Sequence, residues 1–335
     1  MTNKVFGGLW VCGLLFLASC AYQGVNQYPL SAAYPRYEAL LGSLNELSRE
    51  YPGVFQHRII GFSGTENLPI YAVELGKGER NILIIGQHHA DEMLGVAISL
   101  HLVEELSRAY LKDAKVKALL DEYRLWIVPS INPEGWRVVS SGLSRIKRKN
   151  NRDTDGNKKF DLRTDGVDLN RNYPIFWDLD GETNHMSSFY KGPAPASEQE
   201  VKAIIALGRR ISFELAIFYH SSLTGALSER IFLPAVTEES PEFMQLRKLA
   251  EEYAKQSPRD YHRGTYRVQT GTSSRVGNAR NFFWHALKVP AMLIEVGGVN
   301  RQGQSIIHPG EKMVKRISKR HTKALLSLLE YNSGS

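Results

Sequence analysis

The sequence predicts a single α/β domain in which helices flank a twisted, mixed and mostly parallel sheet. Three apolar runs have the length and β-branched content of strands covered on both faces: NILIIGQ (81–87), FELAIFYH (213–220) and VPAMLIEVGG (289–298). Helical segments separate them, and this alternation favours parallel strands joined by crossover helices. The chain of 335 residues is 42% hydrophobic, enough for a sizeable core, and has no internal repeats.

The remaining elements follow in chain order. Leu40, Leu41, Leu44 and Leu47 recur at helical spacing within 35–51, and Pro52-Gly53 ends that helix. Further strands are predicted at 54–64, at 68–75 and from Tyr123, and further helices at 92–111, 197–211, 276–287 and 311–332. SEQE at 197–200 predicts a capping box for its helix. The polar stretch 140–168 lacks core periodicity and is predicted to be a loop.

The charge distribution gives little support to nucleic-acid binding. The formal net charge is +7, but the basic residues are spread along the chain except for a cluster at 145–152. That cluster has no interleaved aromatic residues, so a solvated basic loop is favoured. We expect no nucleic-acid partner and a monomer.

The first twenty residues have the proportions of a bacterial lipoprotein signal. A short region with Lys4 precedes an apolar run too short to span a bilayer comfortably, and LASC at 17–20 resembles a lipobox. Removal of 1–19 would discard Cys12 and leave Cys20 as the one cysteine, available for lipidation. We therefore expect a tether at 20–32, a domain at 33–335, and a lipid anchor in the bacterial envelope. Residue 21 is Ala and not Asp, which favours the outer membrane, facing the periplasm.

Three apolar strands end in metal-binding or acid/base residues. His89, His220 and Glu295 follow or close these strands, and the carboxyl ends of parallel strands meet at one edge of a sheet. His89 and Glu92 are three residues apart, so on a helical turn they can share an ion. His220 would complete a site with two histidines and one carboxylate, leaving Glu295 as general base for a zinc-bound water. A shifted pair, His88 and Asp91, remains an alternative.

The chain resembles the M14 family of zinc carboxypeptidases, and the similarity extends over nearly all of the sequence after residue 33. The motifs that carry it, in order, are YEALLGSLNELSREYPGV with IIGFSG, GQHHADE, INPEGW, RKN at Arg148, GVDLNRNY, YKGPAPASEQE, FYHS and LIEVGG. The resemblance implies the α/β fold of that family and one zinc ion per chain.

The resemblance also implies roles for individual residues. It makes His89, Glu92 and His220 the zinc ligands and Glu295 the general base. Arg148 would polarise the scissile carbonyl, with Arg145 and Arg152 as rivals. Asn170 and Arg171 would bind a substrate carboxylate next to the cleaved bond.

Two further substrate-binding candidates depend on alignment across a variable region. Digestive members of the family carry a tyrosine upstream of the catalytic glutamate that closes over the substrate. A gap-free count back from Glu295 reaches Ser273, so Tyr266 fills this role only if the loop is longer here. The same count puts Arg280 at the position of the family's specificity residue, where it would favour an acidic side chain. The alternative is that Arg280 points to solvent.

The loop DTDGNKKFD (153–161) partly matches a calcium-binding pattern. Asp153, Asp155, Asn157 and Asp161 occupy the one, three, five and nine positions. The loop lacks glycine at position six, and Thr164 stands where a bidentate Glu is needed. A solvated loop is therefore favoured over a calcium site.

The predicted function is zinc-dependent hydrolysis of an amide next to a carboxylate-bearing residue. HADE at 89–92 resembles the form in family members that act on cell-wall peptides or small acylated amino acids. With the envelope location, this favours peptidoglycan-derived peptides, as a γ-D-glutamyl–diaminopimelate amidase or a carboxypeptidase. The alternatives are a general carboxypeptidase on protein fragments, an aspartoacylase-like deacylase, and a non-catalytic binder of cell-wall peptides.

Overall fold

An eight-stranded sheet runs through the residues that this computed structural model describes, 30–269 and 275–334. Its strands are β1 (Phe55–Phe62), β2 (Pro69–Leu75), β3 (Arg80–Ile85), β4 (Tyr123–Val128), β5 (Phe213–His220), β6 (Arg230–Phe232), β7 (Arg267–Gln269) and β8 (Ala291–Glu295). A separate two-stranded sheet pairs β9 (Gly298–Val299) with β10 (Ser305–Ile306). The predicted signal 1–19, Cys20 and most of the tether lie outside the described residues.

The helices lie between and beyond these strands. They are α1 (Tyr37–Glu50), α2 (Met93–Tyr110), α3 (Ala114–Glu122), α4 (Pro133–Ser140), α5 (Gln199–Arg210), α6 (Pro241–Lys255), α7 (Ala279–Leu287) and α8 (Glu311–Ser333). Within the described ranges, each of them is too short or too polar to cross a membrane.

The strand order is β1-β2-β4-β3-β5-β8-β6-β7. The central neighbours β4, β3, β5 and β8 pair in parallel, as do β6 and β7. The pairs β1–β2, β2–β4 and β6–β8 are antiparallel. The predicted α/β fold, with a mixed and mostly parallel sheet flanked by helices, is therefore confirmed.

Both faces of the central sheet are buried, as the continuous apolar runs predict. Along β3, Ile82 and Ile84 pack into one core cluster, whereas Leu83 and Ile85 pack into the other. This alternation follows from the pleat, which turns successive side chains to opposite faces. Residues of α2, α6 and α8 belong to the first cluster, and residues of α5 and α7 belong to the second. Helices therefore cover both faces of the central sheet.

Several local features differ from the predictions. The prediction of a capping box at 197–200 is wrong. Helix α5 begins at Gln199, its N-cap residue is Glu198, and no side chain of the described residues caps it. The Ser197 hydroxyl instead donates to Glu198 at 2.7 Å. Helices α3, α4 and α6 are missing from the predicted elements, as are the short strands β6, β7, β9 and β10. Ser240 caps α6 by accepting from the Phe243 N–H.

Candidate active site

The sheet brings the ends of three neighbouring strands to one edge. The chain reaches His89 four residues after β3 ends, while His220 and Glu295 are the last residues of β5 and β8. His220 and Glu295 are also register partners across that strand pair. The predicted convergence of these residues therefore follows directly from the parallel register of β3, β5 and β8.

Glu92 reaches the same point because it is the N-cap of α2. The helix can begin this close to β3 because of Gly95: a Cβ there would collide with the carbonyl oxygen of Gly86. Between them, residues 87–91 form the short connection that carries His89, and the Glu92 N–H donates to the His89 carbonyl at 3.1 Å.

Three side chains meet at the predicted metal site. Glu92 Oε1 lies 2.8 Å from His89 Nδ1, and Glu92 Oε2 lies 2.7 Å from His220 Nδ1. The two Nδ1 atoms are 3.1 Å apart, and all three residues are buried. Burial raises the pKa of Glu92, but the two histidines outweigh this and hold it well below its ordinary value. The carboxylate is thus ionised, as a metal ligand must be.

The outer nitrogens of both histidines have partners of their own. His89 Nε2 lies 2.9 Å from Asp168 Oδ1, and His220 Nε2 lies 3.3 Å from the Asn170 amide nitrogen. These contacts fix the rings and direct both Nδ1 atoms to the common point. Two imidazoles and one carboxylate, oriented by outer partners, suit a zinc ion with a position left for water.

Asp168 also holds Arg148. Its Oδ2 accepts from Arg148 Nε at 3.0 Å and from Nη2 at 2.9 Å, while Arg148 Nη1 lies 3.5 Å from Glu92 Oε1. Sequence reasoning missed Asp168, although it lies in the GVDLNRNY motif two residues before Asn170. One buried carboxylate therefore positions both a metal ligand and the predicted carbonyl-binding guanidinium.

The rivals of Arg148 lie elsewhere. Arg152 pairs with Glu198 at 2.8 Å, and neither Arg145 nor Arg152 lines the cavity beside the metal ligands. Arg148 lines that cavity. The structure thus places only Arg148, of these three, where it could contact a substrate.

Asn170 and Arg171 lie on the wall of the same cavity, within a 3₁₀ turn at Leu169–Arg171. The Asp168 side chain caps this turn by accepting from the Asn170 N–H at 2.9 Å. Asn170 Oδ1 accepts from the N–H of Ala279, the first residue of α7, at 3.0 Å. Arg171 Nη1 donates to the Asn170 carbonyl at 2.9 Å. The turn thereby brings the amide and the guanidinium predicted to bind a carboxylate to one wall.

Glu295 faces this cavity without a partner for its carboxylate Oε2 among the described residues, although that atom is buried. Burial and the neighbouring Glu92 carboxylate raise the pKa of Glu295 above its ordinary value. A carboxylate whose pKa is raised holds a transferred proton more readily than one in water does. The position and the chemistry both suit the predicted general base.

Arg280 points into the cavity and not into solvent. It lies in the first turn of α7, is only 4% exposed, and has its Cζ 5.8 Å from the centre of the Phe232 ring. Burial and the nearby Arg171 lower the pKa of Arg280 to about 10, so it still carries a positive charge at neutral pH. The cavity therefore contains a buried cation separate from Arg148 and Arg171.

Tyr266 does not line the cavity. It is buried in the core, and its hydroxyl lies 3.4 Å from Nε2 of the buried His321, whose Nδ1 contacts the Tyr253 hydroxyl at 2.7 Å. The structure therefore does not place Tyr266 beside a substrate, and the prediction that Tyr266 binds substrate is corrected. Ser273, the other residue considered, lies outside the described residues.

The alternative ligand pair, His88 and Asp91, is not assembled. His88 Nε2 lies 3.1 Å from the Tyr173 hydroxyl, and its ring stacks on that of His220 at 5.2 Å. Asp91 lines the cavity but contributes no atom to the metal-ligand cluster found among the described residues. His88 thus packs against the ring of His220 and lies outside the possible ligand group of the described residues.

The carboxylates of the 153–161 loop are largely used within the loop. Asp153 accepts from the N–H groups of Gly156 and Lys158, and Asp161 accepts from those of Arg163 and Thr164. Oxygens of Asp153, Asp155 and the buried Asp165 lie within 4.8 Å of one another, but Asp161 is not part of that group. This arrangement fits the favoured interpretation, a solvated loop closed by its own side chains.

The ligand set defines a class of protein, one that holds a single zinc ion with two histidines and a carboxylate. The family described as zinc carboxypeptidase matches residues 40–319, and the chain belongs to that family. Zinc is therefore the metal that the family implies, and the donor atoms present fit it.

Individual relatives match over part of their length. Mouse mast cell carboxypeptidase A is 29% identical over 177 residues, covering 52% of this chain and 41% of that protein. Metallocarboxypeptidase A of Trichophyton tonsurans is 32% identical over 142 residues, covering 41% of this chain and 32% of that protein. The matched regions thus span less than half of these curated relatives.

Solved structures extend the similarity to most of the chain. Bovine thrombin-activatable fibrinolysis inhibitor has a TM-score of 0.74 and 22% identity, covering 89% of this chain and 97% of that one. Carboxypeptidase A from Helicoverpa armigera has a TM-score of 0.74 and 17% identity, covering 96% and 80%. At these identities the likeness establishes the shared fold.

Proposed function

We propose that the protein is a zinc-dependent carboxypeptidase that releases a C-terminal residue with an acidic side chain. One cavity of about 590 Å³ is large enough for the end of a peptide. It is lined by the three proposed metal ligands, by Glu295, and by Arg148, Arg171 and Arg280. Family membership supports the hydrolytic reaction. The buried charge of Arg280 carries the proposed specificity.

Each polar group of the cavity has a distinct task in this reaction. His89, Glu92 and His220 would hold the zinc ion, which would supply Lewis acidity when bound. Glu295 accepts the proton of the attacking water and passes it to the leaving nitrogen. Arg148, held rigid by Asp168, donates to the oxygen on which negative charge develops. Asn170 and Arg171 bind the terminal carboxylate, with the planar Arg fork matching its two oxygens.

Arg280 is suited to an acidic side chain on the released residue. The Glu295 carboxylate acts electrostatically on the buried Arg280 guanidinium, but Arg280 Nε lacks a hydrogen-bond partner among the described residues. The Phe232 ring beside it and Leu293 give the pocket apolar walls. The side-chain carboxylate of Asp, Glu or diaminopimelate would supply an acceptor for Arg280 Nε.

The proposed natural substrates are peptidoglycan-derived peptides. The proposed location is the outer membrane, where a lipid anchor at Cys20 would hold the enzyme facing the periplasm. The lipobox-like LASC and the scarcity of cysteine support this location, and HADE at 89–92 supports the substrate class. The names of the relatives, carboxypeptidase A, favour the second candidate, a general carboxypeptidase acting on protein fragments.

The test compares free and amidated C-termini. The zinc-loaded protein would be incubated with peptides ending in Glu, Leu or their amides, and with L-Ala–γ-D-Glu–meso-diaminopimelate, and the products read by mass spectrometry. We expect faster release of acidic residues, no action on the amides, and loss of the acidic preference in Arg280→Met, which keeps an unbranched side chain but removes the charge.

Each other outcome selects an alternative. Equal release of Glu and Leu by the wild type would leave a general carboxypeptidase and remove the role of Arg280. Cleavage of an acyl-amino acid without any peptide cleavage would mean a deacylase. Peptide binding without turnover, in both the wild type and Glu295→Gln, would mean a non-catalytic binder.

A further inference from the structure

Phe189 is an aromatic side chain at the cavity wall that touches two of its cations. The centre of its ring lies 5.1 Å from Arg148 Cζ and 5.5 Å from Arg171 Cζ, both within the range of cation–π attraction. We infer that Phe189 is a positioning residue that holds Arg171 ready for the carboxylate of the substrate. This inference rests on the proposed function, which assigns that carboxylate to Asn170 and Arg171.

The two arginines depend on Phe189 to different degrees. Arg148 has two hydrogen bonds to Asp168, at 2.9 and 3.0 Å, and these fix its guanidinium whatever the ring does. Among the described residues, Arg171 has one hydrogen bond, to the Asn170 carbonyl, and a long pairing with Asp180 at 3.7 Å. Removal of the ring should therefore free Arg171 and leave Arg148 in place.

Phe189 is poorly explained by the needs of the core. The residue is 48% exposed, unlike the buried aromatic side chains of the two core clusters. Its segment is fixed by other contacts: Lys149 Nζ donates to the His185 carbonyl at 2.6 Å, and the Phe189 N–H donates to the Ser187 hydroxyl at 3.2 Å. These backbone contacts place the ring at the cavity wall. Packing in the core does not account for an aromatic residue there, whereas the cation–π contacts with Arg148 and Arg171 do.

The consequence is a specific effect on carboxylate binding. Two guanidinium groups on one wall repel each other, and a ring in contact with both offsets part of that repulsion. Phe189→Leu keeps an apolar side chain but removes the π face, so it should weaken binding of a free carboxylate about two- to fivefold. Binding of the corresponding amide should stay the same, and Phe189→Tyr, which keeps the π face, should behave as the wild type does.

The experiment measures binding and not turnover. Each variant is made in the zinc-loaded Glu295→Gln protein, and N-acetyl-Ala-Glu and its C-terminal amide are titrated by calorimetry. Phe160→Leu is the matched control, because Phe160 is a 43% exposed ring beside a cation, Lys147 at 4.8 Å, but lies outside the cavity wall. It should leave both affinities unchanged.

A second measurement reads the arginine directly and needs no substrate. Phenylglyoxal labels accessible guanidinium groups, and peptide mass spectrometry then gives the labelling rate at each site. In Phe189→Leu we expect faster labelling of Arg171 and an unchanged rate at Arg148.

The outcomes separate this inference from the proposed function. Equal weakening of the acid and the amide in Phe189→Leu would make Phe189 a plain apolar wall and overturn the inference. An unchanged labelling rate at Arg171 would overturn it as well. If the parent protein did not bind N-acetyl-Ala-Glu, the proposed function would fail, while the labelling rates would still decide whether the ring holds Arg171.

Discussion

His220 and Glu295 are register partners at the carboxyl ends of two neighbouring parallel strands. The Val296 N–H donates to the His220 carbonyl at 2.7 Å, so the backbone fixes the two strand ends directly beyond these residues. A metal ligand and the proposed general base are therefore held at a set separation by the sheet itself. It follows that the chemistry of Glu295 can be altered without moving the ligand.

Glu295→Gln should remove catalysis and keep the metal site. The amide has the shape of the carboxylate but cannot accept the proton of water, and loss of such a group lowers kcat by roughly 10²- to 10⁴-fold. Hydrolysis rates and zinc content per chain, measured on the same preparations, check this. Loss of zinc along with activity would instead make Glu295 part of the ligand set.

Asp168→Asn should weaken zinc binding although Asp168 is not a ligand. Loss of the carboxylate on His89 Nε2 typically lowers metal affinity by about ten- to a hundredfold, and kcat should fall too because Arg148 loses a charged partner. Competition with a chromogenic chelator gives the affinity. Asp180→Asn is the control, since Asp180 pairs with Arg171 at 3.7 Å. Equal zinc affinities in all three proteins would contradict the role given to Asp168.

The strand ends could be predicted because the signal is local. An apolar run that stops at a histidine or glutamate shows where a buried strand leaves the sheet. Parallel register then brings these strand ends to one edge of the sheet. The resemblance then added Arg148, Asn170 and Arg171, which the structure places on one cavity wall.

Contacts between distant loops could not be predicted in this way. Asp168 is 79 residues from His89, and the sequence does not show which carboxylate a buried imidazole will meet. Tyr266 failed for a related reason: its place depended on counting through a loop of unknown length, and tertiary packing put it on His321. Helix α6 carries a Ser–Pro start and apolar spacing, so its omission was a missed local signal.

Tyr266→Phe should change stability and leave substrate binding alone. The hydroxyl lies 3.4 Å from Nε2 of the buried His321, and loss of that hydrogen bond costs about 1 kcal/mol. Urea unfolding and the KM for a peptide ending in Glu test the two halves of this statement. A higher KM with an unchanged free energy of unfolding would mean that Tyr266 contacts the substrate.

Glu200→Gln should change how stability depends on pH. Glu200 is fully buried, and its Oε1 accepts from the Gly64 N–H and the Asn150 amide, both at 3.3 Å. Burial, with Glu198 and Glu134 nearby, raises its pKa from 4.5 to about 7. The folded protein therefore binds a proton that the unfolded chain has lost between these values, so stability should fall as pH rises through this window.

The size of the effect follows from the pKa difference. At about 1.36 kcal/mol per pKa unit, the wild type should lose on the order of 3 kcal/mol more than Glu200→Gln between pH 4.5 and 8. Urea unfolding at several pH values gives both curves, and Glu46→Gln, on the exposed face of α1, should follow the wild type. Parallel curves for the wild type and Glu200→Gln would mean that the pKa of Glu200 is the same in the folded and unfolded protein, with Asn150 and the Gly64 N–H offsetting the cost of burial.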